Sequence, residues 1–267
     1  MELEQIKTYL VKAVEAAWLG GLSIVESKRK GYHVNYKADA SPVTDADMAS
    51  HVTIERILAP LNLPRLSEEG DLLSYDQRKK WDAYWSIDPL DGTKEFTRGS
   101  DEYTVNIALI INQTPVAGVI VLPERDEAYW GGAGIGLFSC TVTPDFDDCL
   151  SERYTAQIDE LPSIYTAVVS RAHLNSKTKF YLEQLEQKHG EIEVRRAGSS
   201  TKFIDLSLNK AHLYPRFSPC MEWDTAAGHA LLKSNGLDIL SLETKEPLQY
   251  NRESLYNPPF LAGRYQR

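Results

Sequence analysis

Ser86-Ile-Asp-Pro-Leu-Asp-Gly-Thr-Lys-Glu-Phe96 is the stretch around which the chain is organised. The strand formers Tyr84–Ile87 run into it, so its two carboxylates, Asp88 and Asp91, are predicted to lie where a buried strand ends. Pro89–Gly92 is predicted to form a sharp turn, because proline fixes φ and glycine tolerates conformations closed to other residues. A surface Asp-Gly turn between two strands is the alternative, and the rest of the chain has to decide between the two.

The same turn offers oxygen ligands of the kind that hard cations prefer. The carboxylates of Asp88 and Asp91 and the free backbone carbonyl of Leu90 would suit a cation such as Mg²⁺. Beyond them, the amides of Gly92 and Thr93 begin a predicted short helix, where phosphate oxygens bind readily. A metal site beside a phosphate site is therefore one function that this stretch supports.

Length and composition indicate an ordinary globular protein. The 267 residues are 42% hydrophobic and 25% charged, which is enough for a substantial core. The formal net charge of −9 argues against nucleic acid or an anionic membrane as the main partner. An acidic protein that binds phosphate needs local cations, and divalent metals are the simplest source.

The chain has three cysteines: Cys140, Cys149 and Cys220. They show neither metal-ligand spacing nor the even number of a disulfide framework, so we expect free thiols in a reducing compartment. The N-terminus carries Glu2 and Glu4 where a signal peptide would need positive charge, and the uncharged run Ala16–Val25 is too short to span a bilayer. We therefore expect a cytoplasmic protein, with peripheral contact to the inner membrane left open.

The first half of the chain is predicted to combine helices with an antiparallel sheet. Its predicted elements are a helix over residues 2–28, a helix from Thr44 or Asp45 to Pro60, and strands over Leu63–Leu66, Tyr103–Asn112, Val116–Leu122, Ala128–Trp130 and Leu137–Val142. Asp47 falls in the first turn of the second helix, where the helix dipole alone favours an acid. Glu68 and Glu69 follow the first short strand and matter only if that strand end points towards Asp88.

The second half alternates strands with helices, as a layered α/β unit does. The predicted strands are Ile164–Ser170, Ile192–Arg195, Ala211–Pro215 and Leu237–Leu240, and the predicted helices are Ser176–Lys188, one after Ser199, and Trp223–Ser234. The acidic, poorly periodic segment Asp145–Leu161 separates the halves. We place the boundary within it, giving an N-terminal α+β part over residues 1–158 and a C-terminal α/β part over residues 159–267.

Four motifs carry a likeness to a known family: Asp88-Pro-Leu-Asp-Gly-Thr93, Glu68-Glu69, Thr44-Asp-Ala-Asp47 and Trp223-Asp-Thr-Ala-Ala-Gly228. Together they resemble the magnesium-dependent, lithium-sensitive phosphatase superfamily of inositol monophosphatases and fructose-1,6-bisphosphatases. The resemblance implies a layered αβαβα sandwich and an enzyme that hydrolyses phosphate monoesters.

Within that superfamily, the extended form ending in Lys-Glu-Phe96 resembles the bacterial CysQ type, the 3'(2'),5'-bisphosphate nucleotidases. Further segments agree: Ser170-Arg-Ala-His173, Gly198-Ser-Ser-Thr-Lys-Phe203 and Tyr214-Pro-Arg216. The resemblance implies that the enzyme converts adenosine 3',5'-bisphosphate (PAP) to AMP and phosphate in sulfate assimilation. The phosphosulfate form, PAPS, is a further candidate substrate.

The resemblance also implies roles for the acidic residues, with two or three Mg²⁺ per active site. Glu68, Asp88 and the Leu90 carbonyl would hold one metal, and Asp88, Asp91 and Asp224 would hold another. Thr93 hydrogen-bonded to Asp47 would orient and deprotonate the attacking water. The substrate contacts implied at this end of the site are Glu68, Leu90, Asp91, Gly92, Thr93 and Asp224, with the Gly92 and Thr93 amides on the scissile phosphate.

A second phosphate site is implied further along the chain. Lys202 and Arg216 would supply its charge, and the hydrogen-bond partners would be Ser170, His173 and Ser199. Purely structural roles for these residues remain open at this point. An inositol or sugar phosphatase with the same metals is the alternative function. A non-catalytic phosphate or nucleotide sensor would require a lost metal ligand, and all four acids are present.

Overall fold

The computed structural model describes residues 1–37, 42–141, 146, 154–172 and 174–265. The helices are α1 (Leu3–Lys30), α2 (Asp45–Leu58), α3 (Tyr75–Arg78), α4 (Thr93–Thr97), α5 (Ser176–His189), α6 (Thr201–Ser207) and α7 (Trp223–Lys233). The strands are β1 (Val34–Tyr36), β2 (Pro42–Thr44), β3 (Arg65–Ser67), β4 (Ala83–Asp91), β5 (Thr104–Ile111), β6 (Thr114–Leu122), β7 (Glu127–Gly132), β8 (Gly136–Thr141), β9 (Tyr154–Thr155), β10 (Tyr165–Ser170), β11 (Ile192–Ala197), β12 (Leu213–Arg216), β13 (Asp238–Ser241) and β14 (Phe260–Gly263).

Two large sheets carry the architecture. The first has seven strands in the order β3-β4-β5-β6-β7-β8-β9, antiparallel except for the parallel pair β3 and β4. The second has five strands in the order β11-β10-β12-β14-β13, in which β10 runs parallel to both of its neighbours. A separate two-stranded hairpin, β1 and β2, precedes α2.

The helices form three layers around these sheets. Helices α1 and α2 cover one face of the seven-stranded sheet, α6 and α7 lie between the two sheets, and α5 covers the outer face of the five-stranded sheet. The order of layers is therefore helix, sheet, helix, sheet, helix. This confirms the αβαβα sandwich of mixed α+β and α/β character that the sequence predicted.

The alternation of side chains along β4 and β5 explains why the first sheet is buried on both faces. On β4, Tyr84 packs into the core between the sheets, while Trp85 and Ile87 pack towards α1 and α2. On β5, Ile110 packs into the core between the sheets and Leu109 packs towards α1 and α2. Successive side chains of a strand point to opposite faces, so an apolar run without polar alternation places β4 and β5 in the middle of the layers.

The predicted turn over Pro89–Gly92 is wrong in its position. Strand β4 continues through Pro89 to Asp91, with a break in register against β5 between Asp88 and Asp91. Proline has no N–H for the ladder and is tolerated where the ladder is interrupted. The chain turns at Gly92, whose φ of +94° opens α4.

Most predicted elements are present within one to three residues of their expected ends, including the cap of α2 by Thr44. Four strands were not predicted: β1, β2, β9 and β14. The segment Asp145–Leu161 lies only partly within the described residues. Strands at residues 65–155 build the first sheet and those at residues 165–263 the second, which supports the division at residue 158 as a proposal.

The state of the cysteines and the burial of α1 bear on the expected cytoplasmic location. Cys220 is a buried free thiol, but Cys140 is disulfide-bonded, so the expectation of free thiols is wrong for Cys140. Among the described residues, α1 is the helix that is long and apolar enough to cross a membrane by length and composition. Half of its most apolar window is buried within the protein, as in the core helix of a soluble fold.

Candidate active site

Three carboxylates from distant parts of the sequence meet at one end of the first sheet. Oxygens of Glu68, Asp88 and Asp224 all lie within 4.8 Å of one another. Glu68 follows β3 and Asp88 lies on β4, and because these strands are parallel their carboxyl ends lie side by side. Asp224 enters from the first turn of α7, which packs between the sheets.

Asp88 is the most deeply buried member of this cluster, at 1% exposure. Its Oδ1 accepts a 3.1 Å hydrogen bond from the Leu90 amide, and its Oδ2 has no partner among the described residues. Burial, and then the charges of Glu68, Asp91 and Asp224, raise the pKa of Asp88 well above its usual range. An unpartnered buried oxygen among like charges fits a divalent cation, because such a cation would supply the missing partner.

Asp224 is held in place from outside the cluster. The Met221 amide donates a 3.0 Å hydrogen bond to Oδ2 of Asp224. Burial, followed by the charge of Asp91, raises the pKa of Asp224 to about 8. A cation beside Asp224 would favour its ionised form.

Asp91 lines the same cavity but is not one of the three converging carboxylates. Its Oδ2 accepts hydrogen bonds from Ser199 Oγ at 2.6 Å and Ser200 Oγ at 3.0 Å. Asn106 Nδ2 lies 3.4 Å from the same oxygen. Hydroxyls from the start of α6 thus tie Asp91 to the second sheet and its helices, so the loop before α6 positions this acid.

Asp47 and Thr93 are joined, as the sequence predicted. Thr93 Oγ1 donates to Oδ1 of Asp47 at 3.0 Å. The other oxygen of Asp47 accepts from the amide and hydroxyl of Thr44, which completes a capping box at the start of α2. Asp47 is 1% exposed, and burial raises its pKa. One carboxylate therefore both caps a helix and faces Thr93.

A lysine that the sequence did not single out contacts the cluster. Lys37 Nζ lies 2.8 Å from Oε1 of Glu68 and 2.6 Å from Oε1 of Glu69. Burial raises the pKa of Glu68, and the charge of Lys37 opposes that effect. Nothing in the local sequence marks Lys37, because its partners Glu68 and Glu69 lie 31 and 32 positions further along the chain.

Two cations, buried Lys202 and half-buried Arg216, lie on the second-sheet side of the same cavity. Lys202 is 2% exposed, and its Nζ donates to the carbonyls of Ala197 and Ser199 and lies 5.2 Å from the centre of the Tyr214 ring. Burial, followed by the charge of Arg216, lowers the pKa of Lys202 to about 8.

Arg216 is held by oxygens that carry no full charge. It donates to the Tyr214 hydroxyl at 3.0 Å and to the carbonyls of Ser218 and Pro219. In the described part of the chain, neither Arg216 nor Lys202 forms a direct ion pair with a carboxylate. One buried and one half-buried positive charge, neither paired with a carboxylate among the described residues, favour an anionic ligand.

The remaining predicted residues fall as follows. Ser170 ends β10 and lines the cavity, and Gly92 lines it at the start of α4. The Ser199 hydroxyl is engaged by Asp91 and Thr104, so it positions the acid. His173 lies outside the described residues.

One cavity of about 520 Å³ joins these groups. The acidic cluster, Thr93, Lys202 and Arg216 all line it. Sequence reasoning missed several of its residues or their supports: Lys37, Asn106, Ser200, Tyr214 and Tyr256. Asn106 carried a signal, since it is a polar residue in the largely apolar strand β5, and Ser200 and Tyr214 lie in segments that carry the resemblance; nothing in the local sequence marked Lys37 or Tyr256.

Comparison with known proteins agrees with this fold. The sequence pattern of the inositol monophosphatase family matches residues 5–264. The chain is 41% identical over 233 residues to the 3'(2'),5'-bisphosphate nucleotidase CysQ of Shigella flexneri, covering 86% of this chain and 88% of that protein. It is 40% identical over 233 residues, with the same coverage, to the CysQ nucleotidase of Escherichia coli strain K12.

Solved structures give the same result. The crystal structure of CysQ from Bacteroides thetaiotaomicron matches with a TM-score of 0.87 and 38% identity over 97% of this chain and 98% of that chain. An inositol monophosphatase from Anabaena matches with a TM-score of 0.70 and 24% identity, over 97% of this chain and 91% of that chain, which shows a shared fold. This chain belongs to the inositol monophosphatase family.

Proposed function

We propose that this protein is a Mg²⁺-dependent 3'(2'),5'-bisphosphate nucleotidase that hydrolyses the 3'-phosphate of adenosine 3',5'-bisphosphate, yielding AMP and phosphate. The observation that carries the proposal is the pairing of two opposite charge environments in one cavity. A carboxylate cluster suited to metal lies at one side, and buried Lys202 and half-buried Arg216, neither with a direct carboxylate partner among the described residues, lie at the other. A substrate with two phosphates can use both sides at once. The names and 38–41% identities of the relatives support this choice.

The residues of the acidic cluster fit a divalent metal. Glu68, Asp88 and the Leu90 carbonyl would hold one ion, and Asp88, Asp91 and Asp224 would hold a second. All of these donors are oxygens, the set that Mg²⁺ prefers over softer metals. When bound, such ions supply charge that activates water and stabilises the leaving oxygen. Mg²⁺ as the metal, and two or three ions as the number, are part of the proposal.

Asp47 and Thr93 are proposed to handle the proton of the attacking water. The water would donate a hydrogen bond to Thr93 Oγ1, whose own proton is directed at Asp47 Oδ1. As the water oxygen bonds to phosphorus, the ester P–O bond breaks, the water proton passes to the Thr93 and Asp47 pair, and solvent protonates the departing 3'-oxygen. A raised pKa suits a carboxylate that has to accept a proton.

The two phosphates are assigned to different ends of the cavity. The amides of Gly92 and Thr93 at the start of α4 would bind the scissile phosphate. Lys202 and Arg216 would bind the second phosphate, and Ser170, Ser199 and His173 are the proposed neutral partners. Since Ser199 already supports Asp91, we expect it to contribute mainly by holding that ligand.

The test is a substrate panel assayed with and without Mg²⁺. Adenosine 3',5'-bisphosphate, its phosphosulfate analogue PAPS, inositol 1-phosphate and fructose 1,6-bisphosphate would be compared by phosphate release. We expect kcat/KM to be highest for the bisphosphate nucleotide and activity to disappear with a chelator. A clear preference for the inositol or sugar ester would contradict the proposal and favour the related phosphatase activity. Metal-independent binding without turnover would favour a sensor.

The cellular setting follows from the same proposal. A nucleotidase of this kind would clear a by-product of sulfate assimilation in the cytoplasm, and its partner would be a small phosphate ester and not a nucleic acid. The negative net charge is consistent with that partner. Peripheral contact of α1 with the inner membrane remains a prediction.

A further inference from the structure

Tyr256 stands out among the residues at the mouth of the cavity. Its side chain lines the cavity although the residue is 58% exposed, and its hydroxyl makes no hydrogen bond to any described residue. Single exposed aromatic residues are common on protein surfaces. This one is unusual because the segment that carries it is tied down by buried polar groups at both ends.

The first end of that segment is fixed by Arg78, which is 3% exposed. Its guanidinium donates to Oδ1 of Asn251 at 3.0 Å and to the carbonyls of Arg252 at 2.7 Å and Glu253 at 2.8 Å. The buried carboxylate of Glu222 accepts from the amides of Asn251 at 2.7 Å and Arg252 at 3.1 Å. The buried side chains of Arg78 and Glu222 thus both form hydrogen bonds to residues 251–253.

The other end is fixed by Asn257, directly after Tyr256. Asn257 Nδ2 donates to the Met221 carbonyl at 2.7 Å and to Thr225 Oγ1 at 3.0 Å. Tyr256 itself pairs with Met221 in an antiparallel bridge. The backbone that presents the Tyr256 ring is therefore held in one place before any ligand arrives.

The ring lies on the wall that connects the two charged regions. Met221, its bridge partner, is the residue whose amide holds Asp224. Two residues earlier, the Pro219 carbonyl accepts a hydrogen bond from Arg216 at 3.1 Å. Tyr256 therefore lines the cavity beside the Pro219–Met221 stretch, which joins the Arg216 region to the Asp224 region.

We propose that Tyr256 is the platform on which the nucleobase of the substrate stacks, and that it selects nucleotides over phosphate esters without a base. This inference rests on the proposed function and deepens it by assigning the base contact. A base stacks on an aromatic ring through its π face without hydrogen-bond readout. A ring held in position beforehand binds at a lower entropic cost than a mobile one.

The test separates the contribution of the Tyr256 ring from that of its hydroxyl, and binding of the substrate's base from binding of its phosphate. Tyr256→Ala should raise KM for adenosine 3',5'-bisphosphate about 5- to 150-fold, the range expected from loss of one base stack, with kcat little changed. KM for glycerol 2-phosphate, which has no base, should not change. Tyr256→Phe should behave like the wild type, because stacking needs only the ring. Phe180→Ala is the matched control, since Phe180 is 62% exposed and does not line this cavity.

Binding of the product gives a second readout that needs no turnover. In calorimetric titrations with Mg²⁺ present, Tyr256→Ala should weaken binding of AMP and leave binding of ribose 5-phosphate unchanged. Equal losses for both ligands, no loss for either, or no AMP binding by the wild type would overturn the role of Tyr256. If the wild type binds AMP but does not hydrolyse the bisphosphate, the proposed function fails while this comparison still decides the stacking assignment.

Discussion

Thr93 Oγ1 lies 3.0 Å from Oδ1 of Asp47, a residue 46 positions earlier in the chain. This contact joins the start of α2 to the start of α4 and brings the hydroxyl to an acid whose other oxygen is already fixed by Thr44. Thr44 engages only Oδ2 of Asp47, and Oδ1 accepts the hydrogen bond from Thr93. The contact that the proposed water-activating pair requires is therefore already formed in the protein itself.

Asp47→Asn should remove the proton acceptor of that pair. We expect kcat to fall by about 10²- to 10⁴-fold, the usual contribution of a general base, with a small change in KM. Asp45→Asn is the control, because Asp45 is an acid of the same helical turn whose side chain is directed at exposed His33. Steady-state kinetics on both variants would measure this, and similar losses in the two would point to the helix start instead of the proton.

Asp88→Asn should abolish turnover and the response to metal without harming the fold. In the metal-free protein the buried charge of Asp88 is unfavourable, so a neutral amide should leave the melting temperature unchanged or raise it. Mg²⁺ should raise the melting temperature of the wild type and not that of the variant. Asp76→Asn, at an exposed ion pair with Lys79, serves as control and should keep both activity and the Mg²⁺ response. Retained turnover in Asp88→Asn would refute the metal assignment.

Lys202→Ala should weaken binding of the second phosphate selectively. KM for the bisphosphate nucleotide should rise about 10-fold or more, as expected when a charge-assisted hydrogen bond is lost, while KM for a monophosphate ester changes little. Lys94→Ala is a suitable control, because Lys94 lines the cavity but is not assigned to the second phosphate. Equal effects on both substrates would remove Lys202 from the second-phosphate site.

The selectivity for two phosphates should fall above pH 8. The pKa of Lys202 is lowered from 10.5 to about 8, so the ammonium is charged below that pH and becomes neutral as the pH rises through it. The ratio of kcat/KM for bisphosphate over monophosphate should therefore be constant near pH 7 and decline above pH 8. In Lys202→Met the ratio should be low and independent of pH. A wild-type ratio that stays constant to pH 9.5 would contradict this.

Gly228→Ala should destabilise the layer between the sheets. A Cβ at this position would lie 2.2 Å from Cγ of Phe203, so α7 or the ring must move. Overpacking of this kind costs about 1–3 kcal/mol, which exceeds the gain of about 1 kcal/mol from better helix propensity. Denaturant unfolding would measure it. If the clash is the cause, Phe203→Ala, which removes Cγ and Cδ2, should make the loss in the double variant smaller than the sum of the two single losses.

The helices and central strands could be predicted because their sequence signals lie in residues close together in the chain. Apolar periodicity marks α1 and α2, Thr44 and Asp47 form a capping box within one helical turn, and an unbroken apolar run marks β4 and β5 as central strands. Such signals are carried by neighbouring residues. Strand β14, Phe260–Gly263, was missed because its four residues become a strand only through pairing with β12 and β13.

The sequence by itself determined which chemistry is available: carboxylates beside a glycine turn, an acid at a helix start, and a resemblance that ordered them into one site. Only the tertiary structure decided where the strand ends, how Ser199 and Ser200 hold Asp91, that Lys37 contacts Glu68, and that Tyr256 borders the cavity. The physical reason is separation along the chain. Contacts between residues tens to hundreds of positions apart depend on the packing of sheets and helices, and a linear pattern records residue types but not the packing that brings them together.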